Sequence, residues 1–372
     1  MMASTSFRIL TPLLLAFCDL ALADCECGYS ITTPSDDGRY VFTDLLESDF
    51  VHLDIVGGAG AKAYGGYEWT PQAFNMSSEV ARGPYGQAFT VQNVISNNII
   101  DEQVYNGTGP RGGDAGLELV VGSEIENGMV PCADASTTDA HYFHGTFRAG
   151  IKVTDVPGTC SAFFWYMNDT QEIDIEFLSS EFDRSNSTFP VNLVLQSEES
   201  KNNGFDASGT GDFRKIHLPF DPTEDFHEYR IDFLPDRVLF YADAQLLAEM
   251  NGTGVPSTPG NLQLSHWSNG NAGWSQGPPK TDAATVVSYV KAYFNSSLAS
   301  RHSDYAVRCK DPSAPGAVCP IPDRSPTFFF GNAPDMTPNQ TTYHENIGRR
   351  TGRWRQLPLA AAIATSTWVA GL

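Results

Sequence analysis

From Tyr29 to about Ser297 the chain is a succession of short β-type runs, and it nowhere sustains a long apolar stripe of period 3.6. Runs such as YVFTDLL, FVHLDIV, GTFRAGIKV, SAFFWYM, EIDIEFL, VNLVLQS, HEYRIDFL and ATVVSYVKAYF alternate near period two and are bounded by Gly, Pro, Asn or Asp. This pattern predicts an all-β sandwich. FLPDRVLFYADAQLL reads as two successive hairpins, turning at Pro235–Asp236 and at Asp243–Ala244. No internal repeat is visible, and 372 residues are enough for one large domain or two ordinary ones.

The ends of the chain read differently. One positive charge at Arg8, the apolar run ILTPLLLAF and small residues at Ala21 and Ala23 predict a signal peptide over residues 1–23. That run is too short to span a bilayer. Asn-X-Ser/Thr acceptors at Asn75, Asn106, Asn168, Asn186, Asn251, Asn295 and Asn339 suit a glycosylated secretory product. Loss of the leader removes Cys18 and leaves Cys25, Cys27, Cys132, Cys160, Cys309 and Cys319, an even set for disulfides in an oxidising compartment. Cys309 is expected to pair with Cys319, with the other four unassigned. Zinc is disfavoured because Cys25 and Cys27 are too close in sequence, and His141, His144, His217, His227, His302 and His344 form no metal constellation.

Residues 24–300 are expected to form the sandwich domain, and residues 301–356 a Pro-rich tail closed by the small disulfide loop. Residues 357–372 follow a basic spacer as a short apolar run, either a glycosylphosphatidylinositol attachment signal or a disordered terminus. A formal charge of −21 repels phosphate backbones and anionic lipid, so nucleic acid is excluded as a partner. A membrane association is expected only through a lipid anchor.

Within FFWYMNDTQEIDIEFLSS, three carboxylates occupy alternate positions, Glu172, Asp174 and Glu176, among Ile173, Ile175 and Phe177. On a strand the acids share one face and the apolar residues the other. Such a face is either solvated, as on many antiparallel sheets, or turned into a cleft. Solvated faces usually mix Lys and Thr among the acids, and none occurs here. Three anions in a partly desolvated cleft repel one another and raise at least one pKa, so that one Glu stays protonated while another is ionised. Acid-assisted glycoside cleavage requires that division of roles. The two Glu α-carbons would lie about 13 Å apart, so long side chains must lean inward over the shorter Asp174 to approach the roughly 5 Å of a retaining pair.

At EIDIEF the chain resembles glycoside hydrolase family 16, whose signature is Glu-x-Asp-x-Glu on a strand of a concanavalin A-like β-jelly-roll sandwich. HGTFRAGIKVTDVPGTCSAFFWY, FHEYRIDFLPDRVLFYADAQLL and YVKAYFNSS extend the resemblance over Tyr29 to Ser297. It implies Glu172 as nucleophile, Asp174 as its helper and Glu176 as general acid and then base. The motif has the plain five-residue form and not the bulged form of many laminarin-degrading members. The plain form resembles that of lichenases, xyloglucan transglycosylases and fungal chitin-glucan crosslinking enzymes.

Sugar rings present apolar C–H faces, which makes an aromatic side chain in a cleft a natural platform. Trp267 and Trp274 in HWSNGNAGWSQGPP are the expected platforms, with His266 and Asn269 as hydroxyl partners and Trp165 as a further contact, although one of Trp165 and Tyr166 must pack in the core because alternate residues of that run face opposite ways. Either tryptophan could instead be an ordinary core residue. Arg148 could contact substrate or an acid, and reads first as a structural ion pair. No cofactor is expected; a structural calcium is compatible with the fold, though no ligand set can be read. The chain is thus expected to be a monomeric, secreted retaining glycosidase acting on β-linked glucan or a related polysaccharide. A wall transglycosylase using the same residues is the alternative, and a glycan-binding wall protein without activity is a second one.

Overall fold

The computed structural model describes residues 25–34, 38–54, 69–324 and 326–332. The expected signal peptide, the apolar C-terminal segment, Asn339 and His344 lie outside the described residues. Two antiparallel-rich sheets dominate. The nine-stranded sheet runs in the order Phe213–His217, Pro190–Gln196, Gln171–Leu178, Cys160–Asn168, Asn261–Trp267, Met129–Thr137, Gly86–Phe89 and Phe74–Met76, with Trp69–Pro71 paired beside Met129–Thr137. The eight-stranded sheet runs Gln245–Asn251, Arg237–Ala242, His227–Phe233, Tyr142–Lys152, Ala283–Ser296, Gly116–Val121 and Val94–Asn97, with Asp44–Asp49 beside Ala283–Ser296.

The core forms where the apolar rows of the two sheets meet. Ile173, Ile175 and Phe177 join Phe163, Trp165, Leu193, Leu262 and Leu264 from one sheet with Phe147, Tyr229, Ile231, Phe233 and Phe240 from the other. Trp165 meets Phe233 edge-on at 5.0 Å between ring centroids, and Phe177 meets Tyr229 at 4.7 Å. Each such fully buried side chain contributes about 1.5–3 kcal/mol by leaving water. The apolar half of the EIDIEF alternation therefore fixes which way the acidic half must point.

Both predicted hairpins are present. At the second, Asp243 and Ala244 have φ of 46° and 66°, the left-handed pair that a two-residue hairpin turn requires. Asp243 offsets that cost by accepting hydrogen bonds from the Glu228 amide at 3.0 Å and from His227 Nδ1 at 2.6 Å.

The tail corrects the sequence reading. It opens with a helix, Ala299–Arg308, and no bond joins Cys309 to Cys319. Instead Cys25 pairs with Cys319 and Cys27 with Cys309, tying both ends of the sandwich together. The strand Tyr29–Thr32 pairs antiparallel with Arg39–Phe42 and parallel with Cys319–Pro320, which brings the cysteines into reach. Cys132 and Cys160 stay free, because they lie on the two strands that flank Asn261–Trp267. Two strand spacings, about 9.5 Å, exceed the reach of a disulfide.

Beyond Cys319 the chain crosses the outer face of the eight-stranded sheet. Arg148 donates to the carbonyls of Pro322 and Asp323, and Lys291 Nζ donates to the Phe328 carbonyl at 2.6 Å. The amides of Phe330 and Gly331 donate to Glu47 at 3.0 and 2.9 Å. Arg148 also lies 3.8 Å from Glu228, the structural ion pair expected of it. Among the described residues no helix is long and apolar enough to cross a membrane.

Candidate active site

The pairing register assembles the site. Glu172 lies opposite Tyr166, Asp174 opposite Phe164 and Glu176 opposite Ala162; on the other flank the partners are Gln196, Val194 and Asn192. Directly opposed residues share a face, so all of these lie on the side of the sheet away from the core. The same rows continue through Asn261, Gln263 and Ser265 to Ser136 and Asp134. Asp174 is 5% exposed and the two glutamates are half-buried. The solvated-face alternative fails on this point, and the acids sit in an enclosed site.

Burial is the leading influence on all three and raises each carboxyl above its ordinary range. They do not rise equally. Asp174 and Glu172 share a hydrogen bond that lowers Glu172 and raises Asp174, and the charge of Glu176 pushes both further up. Two touching carboxyls in a dry site cannot both ionise. Burial holds Glu172 up to about 8 and Asp174 higher still, so Asp174 keeps its proton more tightly and is the donor to Glu172 once Glu172 ionises. Glu176 accepts a hydrogen bond from Cys160 at 3.3 Å and has the Trp274 side chain beside it, and both temper the rise due to burial.

Three loops enclose the row. Asn269 Nδ2 donates to the Ala81 carbonyl at 2.6 Å and Asn271 Nδ2 to the Arg82 carbonyl at 2.8 Å, joining the Trp274 loop to the segment that carries Arg82. The Arg82 guanidinium reaches to 4.6 Å from the Phe205 ring, on the loop after the short helix Glu198–Asn202. Its positive charge lowers both Glu172 and Glu176. The Trp274 ring lies 6.4 Å from Phe213 on the edge strand.

The predicted platforms divide. Trp267 is half-buried on the carboxylate side, opposite Cys160, and Trp274 touches Glu176 directly. Trp165 does not face the site: it is fully buried, donating from its indole to the Tyr142 carbonyl at 3.0 Å, because odd positions of its strand face the core. His266 is likewise a core residue, with Nδ1 2.8 Å from the Leu119 carbonyl and Nε2 2.8 Å from the Thr159 hydroxyl; burial lowers its pKa to about 4, so it stays neutral. Asn269 is 4% exposed and holds the loop together, accepting from the Asn271 amide and the Ser275 hydroxyl. Neither His266 nor Asn269 is free to meet a sugar hydroxyl.

Sequence reasoning missed Cys160, Arg82, Phe205, Asn192 and Asp134. Asn192 Nδ2 and Asp134 Oδ1 are buried without a hydrogen-bond partner although both lie on the rows that pass through Glu176. Burial pushes Asp134 up to about 7. Among the described residues no cluster of three or more His, Cys, Asp or Glu is placed to hold a metal.

Parts of the chain are similar to known proteins. The chain is 29% identical over 159 residues to a β-glucanase of Paenibacillus polymyxa, covering 41% of this chain and 59% of that protein. It is 25% identical over 191 residues to the Crh-like protein CRH12 of Candida albicans, covering 49% of this chain and 34% of that protein. The chain thus spans less than two thirds of the length of these relatives. A solved β-1,3-1,4-glucanase (lichenase) from a mouse hindgut metagenome superposes with a TM-score of 0.48 at 18% identity, covering 67% of this chain and 98% of that one. The model of the glycosyl hydrolases family 16 matches residues 118–289, and over this span, which holds all three carboxylates, Trp267 and Trp274, the chain is similar to that family.

Proposed function

We propose that the protein is a retaining glycosidase that cleaves β-linked glucan by double displacement, with Glu172 as nucleophile and Glu176 as acid and then base. The observation that carries this reading is the division of one buried carboxylate row. Asp174 shares its proton with Glu172, while Glu176 has other partners. Glu172 attacks the anomeric carbon as the glycosidic C–O bond breaks, and the proton of Glu176 goes to the leaving oxygen. A covalent glycosyl ester results. Ionised Glu176 then takes a proton from water or from a sugar hydroxyl, whose oxygen displaces Glu172 and restores both carboxyls.

Trp267 and Trp274 supply the aromatic faces against which sugar rings stack. The unpartnered Asn192 amide and Asp134 carboxyl oxygen are suited to sugar hydroxyls, which would repair their lost hydrogen bonds. Transfer to a sugar acceptor is the second reading. It is favoured by the half-burial of both glutamates, which limits bulk water where the ester must be attacked. The leader, the sequons and the paired cysteines support a secreted or wall-associated monomer, with a lipid anchor if the C-terminal segment acts as its signal. Asn75, Asn106, Asn168, Asn186 and Asn251 are all exposed, as glycan acceptors must be.

Mass spectrometry of products from β-glucan and chitin oligosaccharides, alone and with a labelled acceptor, tests the reading. Shorter unlabelled products are expected for hydrolysis and longer labelled ones for transfer. Binding across the panel with no product from any member would contradict an enzyme and favour a glycan-binding protein.

A further inference from the structure

A general acid has two oxygens, and only one of them can face the glycosidic bond. What holds the other is therefore part of the machinery. At Glu176 that role falls to Cys160, whose Sγ lies 3.3 Å from Oε1. Cys160 and Glu176 are diagonal neighbours on adjacent strands, since Cys160 opposes Leu178 and Ala162 opposes Glu176. Ala162 is too small to block the path between them, and the thiol reaches the carboxyl across it. Both groups are carried by paired strands, so the contact does not depend on a loop.

We propose that Cys160 is a positioning residue for Glu176, its S–H binding Oε1 so that the other carboxyl oxygen is presented to the sugar. The inference rests on Glu176 being the acid and base. Cys160 is fully buried, and its pKa is raised well above the ordinary thiol range, first by burial and then by the Glu176 charge. It therefore remains a thiol, and a thiol beside a carboxylate can only donate. Donation favours the ionised form of Glu176, which is the base needed to release the glycosyl enzyme. The Trp274 side chain lies against the same carboxyl and the same sulfur, on the side the thiol leaves open.

The test compares pH–rate profiles of wild type, C160A, C160S and Glu176→Gln on one substrate. In kcat/KM the basic limb reports deprotonation of the free enzyme's acid. Loss of the donor in C160A is expected to move that limb up by about 0.5–1 pH unit, the effect of one ordinary hydrogen bond, since a thiol is a weak donor. C160S keeps a donor on the same carbon and should lie closer to wild type. Superimposable limbs for C160A and wild type, with Glu176→Gln inactive, overturn the positioning role while sparing the acid assignment. Full activity in Glu176→Gln overturns the acid assignment itself. Should C160A fail to fold, the infrared S–H stretch serves: a band that differs between wild type and Glu176→Gln supports the contact, and an identical band overturns it.

Discussion

Glu172→Gln is expected to lower turnover by about 10⁴-fold or more while leaving the melting temperature unchanged or raised. The loss follows from removing the atom that forms the covalent ester, and nucleophile deletions in other enzymes cost at least this much. The stability effect follows from the electrostatics of the row. Glu172, Asp174 and Glu176 are all raised by burial, and the charge of Glu176 adds to the strain on the other two. An amide in place of one carboxylate removes a buried like charge at nearly constant shape. Glu176→Gln should cost less, about 10²–10⁴-fold, because only proton transfer is lost. Its loss should shrink on aryl glycosides whose leaving group needs no proton, whereas that of Glu172→Gln should not. Rates on poor and activated leaving groups, with thermal melting of each variant, check the whole pattern.

The second large effect concerns the tail. A chain ending at Arg308 loses Cys309 and Cys319, and with them both disulfides. It also loses the carbonyls and amides that satisfy Arg148, Lys291 and Glu47 on the outer face of the eight-stranded sheet. A disulfide contributes about 2–4 kcal/mol, and leaving a buried charged group without its hydrogen-bond partner costs about 1–3 kcal/mol or more. Set against a typical total stability of about 5–15 kcal/mol, truncation is expected to abolish folding. The milder variants Cys25→Ser with Cys319→Ser, and Cys27→Ser with Cys309→Ser, should each fold with a lowered melting temperature. Each costs less than a lone bridge, because the two crosslinks are nested and the surviving one still closes the loop. Denaturant titration of the two double variants and the truncated chain measures this directly. A fully stable truncated chain would show that the strap contributes nothing.

The strand parity of the active site was legible in the sequence, and where it was followed it held. Alternation in EIDIEF placed the three acids together because Ile173, Ile175 and Phe177 had to reach the core. Applied to NLQLSHW, the same parity sends His266 inward with Leu262 and Leu264 and leaves Trp267 outward; in SAFFWYM it lets only one of Trp165 and Tyr166 face the acids, and that one is Tyr166. Those misassignments came from reading residue type ahead of position.

Other features had no local signal. The cysteine pairing depends on the tail returning beside Tyr29–Thr32, a parallel contact between residues nearly 300 positions apart. Arg82 and Phe205 meet only because two loops distant in sequence close over the same strand. Asn269 resembles a sugar ligand by type, but its side chain is consumed by the backbone of Ala81 and Asn271.

The central claim is double displacement through Glu172, and covalent trapping tests it most directly. A glycan that the protein turns over would be converted to its 2-deoxy-2-fluoro analogue with an activated leaving group, and the protein digested and mapped after incubation. The account predicts one glycosyl ester per chain, on the peptide containing Glu172 and on that residue. An ester on Asp174 or Glu176, or release of the leaving group with no labelled protein at any time, would contradict it.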